Sequence, residues 1–161
     1  MKNVVRTLTV GALLALAAGA ASAEVRVEYV QSANFSDLTT GGEREEVLRD
    51  LTAHFVKVGA KLSAGYNLRI FVTDIDMAGS EGPSRARTDL RSVTRGEWPR
   101  MNLHYVLESN GQVVNEADAE LRDMSFMDRP NRYMPSDPIR YEKRMIDVWF
   151  EKTILPAAPA R

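Results

Sequence analysis

One stretch constrains the fold more than any other: Leu68-Arg69-Ile70-Phe71-Val72-Thr73-Asp74-Ile75-Asp76-Met77-Ala78-Gly79. Its β-branched and aromatic residues carry no helical period, and strand side chains alternate with period two. Unbroken alternation puts Leu68, Ile70 and Val72 on one face and Phe71, Ile75 and Met77 on the other. A strand apolar on both faces belongs inside a sheet. Asp74 and Asp76 continue the row begun by Leu68, Ile70 and Val72, with Cα atoms roughly 6.6 Å apart by two residues of strand rise. An apolar strand thus ends in two carboxylates pointing the same way.

The N-terminus speaks to location. Lys2 and Arg6 precede an apolar run from Leu8 to Ala21, and Ala21-Ser22-Ala23 is the small-x-small pattern read by signal peptidase before Glu24. The run is about 14 residues, roughly 21 Å as helix, short of the ~30 Å a spanning helix covers. Residues 1–23 are therefore expected to be a cleavable signal peptide and the mature protein to be periplasmic, with no stable membrane insertion. A lipid anchor needs a cysteine, and the chain has none. The same absence removes disulfides, thiolate zinc and thiol catalysis. Taking residues 1–23 from 161 leaves 138, enough for one domain. The signal holds two of the 21 basic residues and none of the 22 acidic ones, so the mature net charge is −3. That argues against a nucleic-acid binder.

Glu24 to Val30 alternates as a one-sided strand. Leu48, Leu51, Phe55, Val58 and Leu62 recur at spacings of three and four, the stripe of an amphipathic helix from about Glu43. Strand, helix, strand is a βαβ unit, which makes the first and central strands parallel. Ser80 to Pro99 lacks periodicity and reads as a long exposed connection, with a helical turn around Thr88 to Val93. Arg100 to Glu120 is a hairpin. A three-residue loop, Ser109-Asn110-Gly111, sets Leu103 opposite Ala117, His104 opposite Glu116 and Arg100 opposite Glu120, a better match than a two-residue Asn-Gly loop. Asp137 is an expected N-cap and Pro138 the first residue of a final helix, which Pro156 stops. The order β-α-β-β-β-α gives an α+β fold: a two-layer mixed four-stranded sheet with both helices on one face, residues 24–161 forming a single domain. The other face would carry Phe71, Ile75, Val106 and Val114 inside a polar border.

On this sketch Asp37, Asp74, Asp76, Arg100 and Asp123 share one end of the sheet, where α/β sites tend to form. Such a cluster has three readings. It is a structural network of loop caps around Arg100, a Ca²⁺ or Mg²⁺ site built on Asp74 and Asp76, or an acid/base pair. His104 has a cross-strand partner in Glu116, and His54 borders the apolar stripe as a packing residue. No G-x-S-x-G elbow or phosphate loop is present.

Several fragments stand in a distinctive order: Phe35-Ser36-Asp37, Thr73-Asp74-Ile75-Asp76-Met77-Ala78-Gly79, Pro99-Arg100 with Tyr105, Leu121-x-Asp123-Met124, and Tyr141-Glu142-Lys143 before Trp149-Phe150. Together they resemble an exported proteobacterial family of unknown function, number 3016, over essentially all of the mature chain. The family motif has leucine where this chain has Met77. The resemblance implies export and a single α+β domain; it supplies no activity and no catalytic residues.

The functional expectation is a non-enzymatic binding or accessory module. It would meet an envelope component or protein partner through the open sheet face or the Arg-containing loop, without a cofactor. The alternatives are a metal-binding protein or metal-dependent hydrolase using the carboxylates, and a structural protein that self-associates, as a homodimer, through the open face.

Overall fold

The computed structural model describes residues 23–38, 42–81 and 91–158; apart from Ala23, the expected signal peptide lies outside them. In chain order the elements are β1 (Glu24–Tyr29), α1 (Gly42–Gly59), β2 (Tyr66–Asp76), β3 (Ser80–Glu81), β4 (Arg91–Ser92), β5 (Arg100–Ser109), β6 (Gln112–Arg122) and α2 (Arg140–Trp149). Helix α2 runs on through a π-helical turn, Phe150–Ile154, into a last turn at Leu155–Ala157. The main sheet has the order β1-β2-β5-β6. β1 is parallel to β2, while β5 and β6 are each antiparallel to the strand before them in that order. This is the expected α+β fold with a mixed four-stranded sheet.

The helical stripe does what its period requires: Leu51, Phe55, Val58 and Leu62 are buried, while Leu48 packs at the margin. They meet Leu68, Ile70 and Val72 from β2, Met101, Leu103 and Leu107 from β5, and Ile146, Phe150 and Ile154 from the C-terminal helix. Burying a side chain of this kind contributes about 1.5–3 kcal/mol. Gly59 ends α1 against β1, where a Cβ would lie 2.1 Å from Val25 Cγ2; only a glycine lets helix and strand approach so closely.

Three details depart from simple alternation. The first lies in β2, where Val72 pairs with Leu103 but Asp74 pairs with Asn102, so Thr73 is an extra, bulged residue. A bulge inverts the phase of every later residue in its strand. Ile75 therefore joins the core at 0 % exposure, opposite Met101, instead of lying on the open face. Asp74 and Asp76 leave the Leu68–Val72 row for that open face, still on the same side as each other.

The second correction is the hairpin. Ser109 pairs with Gln112 across a two-residue Asn110-Gly111 turn. Both turn residues have positive φ, 50° and 81°, as a type I′ turn demands. The objection to that loop, a mismatch of Leu103 with Asp118, is removed by a bulge at Val114. Beyond it Leu103 faces Ala119 and Met101 faces Leu121, a better apolar match than the three-residue loop offers.

The third is the connection after β2. Arg91–Ser92 pair with Ser80–Glu81 as a short ladder rather than turning as a helix; residues 82–90 lie outside the described ones. The open face is consequently more polar than the sequence suggests. Ile75 is in the core, Val106 is 6 % exposed, and of the four expected residues Phe71 and Val114 alone remain accessible.

At the final helix, Asp137 is not the N-cap but lies two residues before it, the N-cap being Ile139. Its Oδ1 accepts from Ile139 N at 3.1 Å and its Oδ2 from Lys143 Nζ at 2.7 Å, and α2 starts at Arg140.

Candidate functional site

The end of the sheet where β1 and β2 finish holds a cleft of about 350 Å³, lined by Ser36, Asp37, Asp76, Gly79, Gly96, Glu97, Trp98 and Arg100. The bulge at Thr73 builds it, because it turns Asp74 and Asp76 outward. Asp74 then clasps the loop after β1, accepting from Ser36 N at 2.7 Å and Ser36 Oγ at 2.8 Å. Asp37 ties the same loop to the strand end: its N–H donates to Ile75 O at 3.0 Å and its Oδ2 accepts from Met77 N at 3.2 Å. Asp76 accepts from Arg100 Nε at 2.9 Å and again from Nη2, across the β2–β5 pair. That pairing raises the Arg100 pKa, through the hydrogen bond first and the charge of Asp76 second. The far wall comes from the connection before β5, fixed by Gly79 N donating to Glu97 O at 2.9 Å. Gly79 has φ 78°, and a Cβ there would sit 2.4 Å from Ser92 O, so a side chain is excluded on both counts. Half-exposed Trp98 forms the rim, with the Arg100 guanidinium 6.0 Å from its ring centroid.

Three of the five expected residues, Asp37, Asp76 and Arg100, therefore share the cleft, and Asp74 braces it through Ser36. Asp123 does not join them. Coming after core residue Leu121 and outward Arg122, it turns to the helix side, where it accepts from Ser125 N at 3.2 Å and lies 3.5 Å from Arg144 Nη1. The carboxylates thus divide among separate donors, and among the described residues no three His, Asp or Glu side chains form a metal-ligand group. Trp98 and Glu97 carry no motif of their own, and their one signal in the sequence is proximity to Arg100; Ser36 belongs to the Phe35-Ser36-Asp37 fragment.

A second polar cluster escapes the sequence reading altogether. His54 and Asp147 are buried, at 3 % and 5 % exposure. His54 Nε2 lies 3.0 Å from Asp147 Oδ1 and 3.1 Å from Lys143 O, both acceptors, so it carries the hydrogen. Tyr133 Oη donates to Asp147 Oδ2 at 2.7 Å, and Arg132 Nη2 reaches the same oxygen at 2.6 Å. Burial works against the Asp147 carboxylate, but the bonds from His54 and Tyr133 and the Arg132 charge outweigh it and hold its pKa below the ordinary value. Burial first, then the bond to Asp147, pushes Tyr133 up to about 12. This network pins the 128–137 connection to both helices. On the sheet, His104 bonds both Asp118 at 2.9 Å and the expected Glu116 at 3.2 Å, and its pKa is raised by Asp118 foremost.

Fold and site together define a small α+β protein with helices on one face of an open sheet and a polar, tryptophan-edged cleft at one sheet end. The chain belongs to the family described as Protein of unknown function (DUF3016), whose family model matches residues 23–152. No curated protein matches it. Among solved structures it is similar to the crystal structure of protein XCC0632 from Xanthomonas campestris, assigned to DUF330. The identity is 12 % over 84 % of this chain and 82 % of that one, with a TM-score of 0.39.

Proposed function

We propose that this DUF3016 protein is an exported, non-enzymatic binding module of the bacterial envelope, with the Trp98 cleft as its recognition site. The observation that carries the reading is how the carboxylates are used. Asp74 is engaged by Ser36, Asp37 by the Met77 N–H and Asp76 by Arg100, so they build walls instead of a convergent ligand or acid/base set. What the cleft offers a visitor is the Trp98 face beside hydrogen-bonding edges from Arg100, Asp76 and Glu97. An amphipathic ring flanked by a few fixed polar groups suits a polar ligand or a short segment of a partner. Export rests on the N-terminal pattern, Lys2 to Ala23.

The test is thermal unfolding of the chain from Glu24, with envelope saccharides and peptides and, separately, with Ca²⁺, Mg²⁺ and chelator. A ligand at 100 times its Kd adds about 2.7 kcal/mol. A shift abolished by Trp98→Ala supports the proposal. A shift produced by the cations alone and abolished by Asp74→Asn or Asp76→Asn overturns it in favour of a metal site.

A further inference from the structure

A different cleft, of about 220 Å³, opens between the end of β6 and the last turns of α2 and shares no residue with the Trp98 cleft. We infer that it is a second binding site, for an aliphatic monocarboxylate: a short apolar body with one carboxylate head.

Three independent features converge there. Trp149, 8 % exposed, forms one wall, yet its buried indole N–H has no acceptor in the protein. Its ring is fixed by edge contacts to Tyr105, Phe55 and Phe150 at 5.6, 6.2 and 6.5 Å. A buried tryptophan N–H ordinarily finds a partner, so a donor held rigidly without one marks where an acceptor is brought from outside.

The helix itself is irregular at this point. The π-helical turn Phe150–Ile154 contributes Lys152 and Thr153 to the lining, and single π-turns inside helices recur at functional sites. The charges also favour an anion. Glu120 lies 3.7 Å from Arg122 and Asp123 faces Arg144, which leaves Arg129 and Lys152 with no carboxylate partner among the described residues, although the chain is net acidic at −1.

The rest of the lining decides the body of the ligand. Leu121, Met145 and Val148 present an apolar surface. The volume is below the ~300–1,000 Å³ of drug-sized sites, so one short chain fills it. In this arrangement the chain lies along Leu121 and Val148, and one carboxylate oxygen accepts from Trp149 Nε1–H. The head as a whole faces Arg129 and Lys152.

Trp98→Phe leaves Trp149 as the sole tryptophan of the chain's two and disables the other cleft, so the two readings fail separately. In that variant the Trp149 indole N–H resonance is tracked while octanoate is added, with octanol and octyltrimethylammonium as controls. The inference expects a saturable downfield movement with octanoate and none with the cation. It also expects affinity to weaken about tenfold or more in Arg129→Glu/Lys152→Glu. Both positions are exposed, so an unchanged Tm shows that this variant is folded. No movement up to about 10 mM octanoate, the result if water alone holds the N–H, overturns the inference. So does a response to octanol as strong as to octanoate and indifferent to the charge reversal.

Discussion

Replacing Ile75 by alanine tests the bulge on which the Trp98 cleft depends. With Thr73 bulged, Ile75 is fully buried opposite Met101. Without the bulge it would face outward, with Asp74 and Asp76 driven into the core. Ile75→Ala deletes about three methyl or methylene groups at ~0.8 kcal/mol each, ~2.4 kcal/mol of transfer. A residual cavity of about 40 Å³ at ~24 cal/mol per Å³ adds ~1 kcal/mol. The expected loss is therefore about 3–4 kcal/mol, a large share of the ~5–15 kcal/mol that holds a domain folded. Urea unfolding monitored by far-ultraviolet circular dichroism should show a lower midpoint with the slope unchanged. Phe71→Ala, half-exposed on the open face, is the control and should cost less. If Ile75→Ala stays within about 0.5 kcal/mol of the parent while Phe71→Ala costs more, the bulge, and with it the outward carboxylates, is refuted.

Asp147→Ala strands the buried His54 and the Tyr133 hydroxyl and should cost about 3–5 kcal/mol in the same assay, the penalty for breaking a buried pair. Because the Asp147 pKa is lowered from 3.8, its stabilising effect is present above that value and lost as pH falls through the lower folded value. Asp147→Asn should accordingly flatten the acid limb of stability against pH. His104 titrates the other way: its raised pKa makes its small contribution present below the ordinary 6.5 and lost as pH rises through the folded value. NMR titration should show that pKa falling back towards 6.5 in Asp118→Asn. Gly111→Ala, at φ 81°, should destabilise by about 1 kcal/mol, measurable as a fall in Tm.

How far such a chain can be read in advance turns on where its alternation changes phase. The helical stripe, the parallel first pair and the hairpin are legible because each rests on a local period. The two bulges are not, since counting by twos assumes that nothing interrupts the count. Yet the interruption leaves a mark. From Leu68 to Met77 the core residues hold even positions through Leu68, Ile70 and Val72 and then odd ones at Ile75 and Met77, with polar Thr73 between and Phe71 on the open face. Taken as two faces, that pattern describes a strand buried on both sides; taken as one face with a phase shift, it describes a bulge at Thr73. The second explanation also accounts for Asp74 and Asp76, which a buried row would strand without solvent and which instead reach Ser36 and Arg100. The same parity argument sends Asp123 to the helix side, because Leu121 is the core residue of its strand. No such mark precedes the pairing of His54 with Asp147. They are 93 residues apart, and the sole hint is a carboxylate between the core residues Ile146 and Trp149, which says that a partner exists but not which one. Strand phase is thus recoverable from one sequence when polar residues are made to agree with it, whereas a buried polar pair is specified only by the packed helices that bring it together.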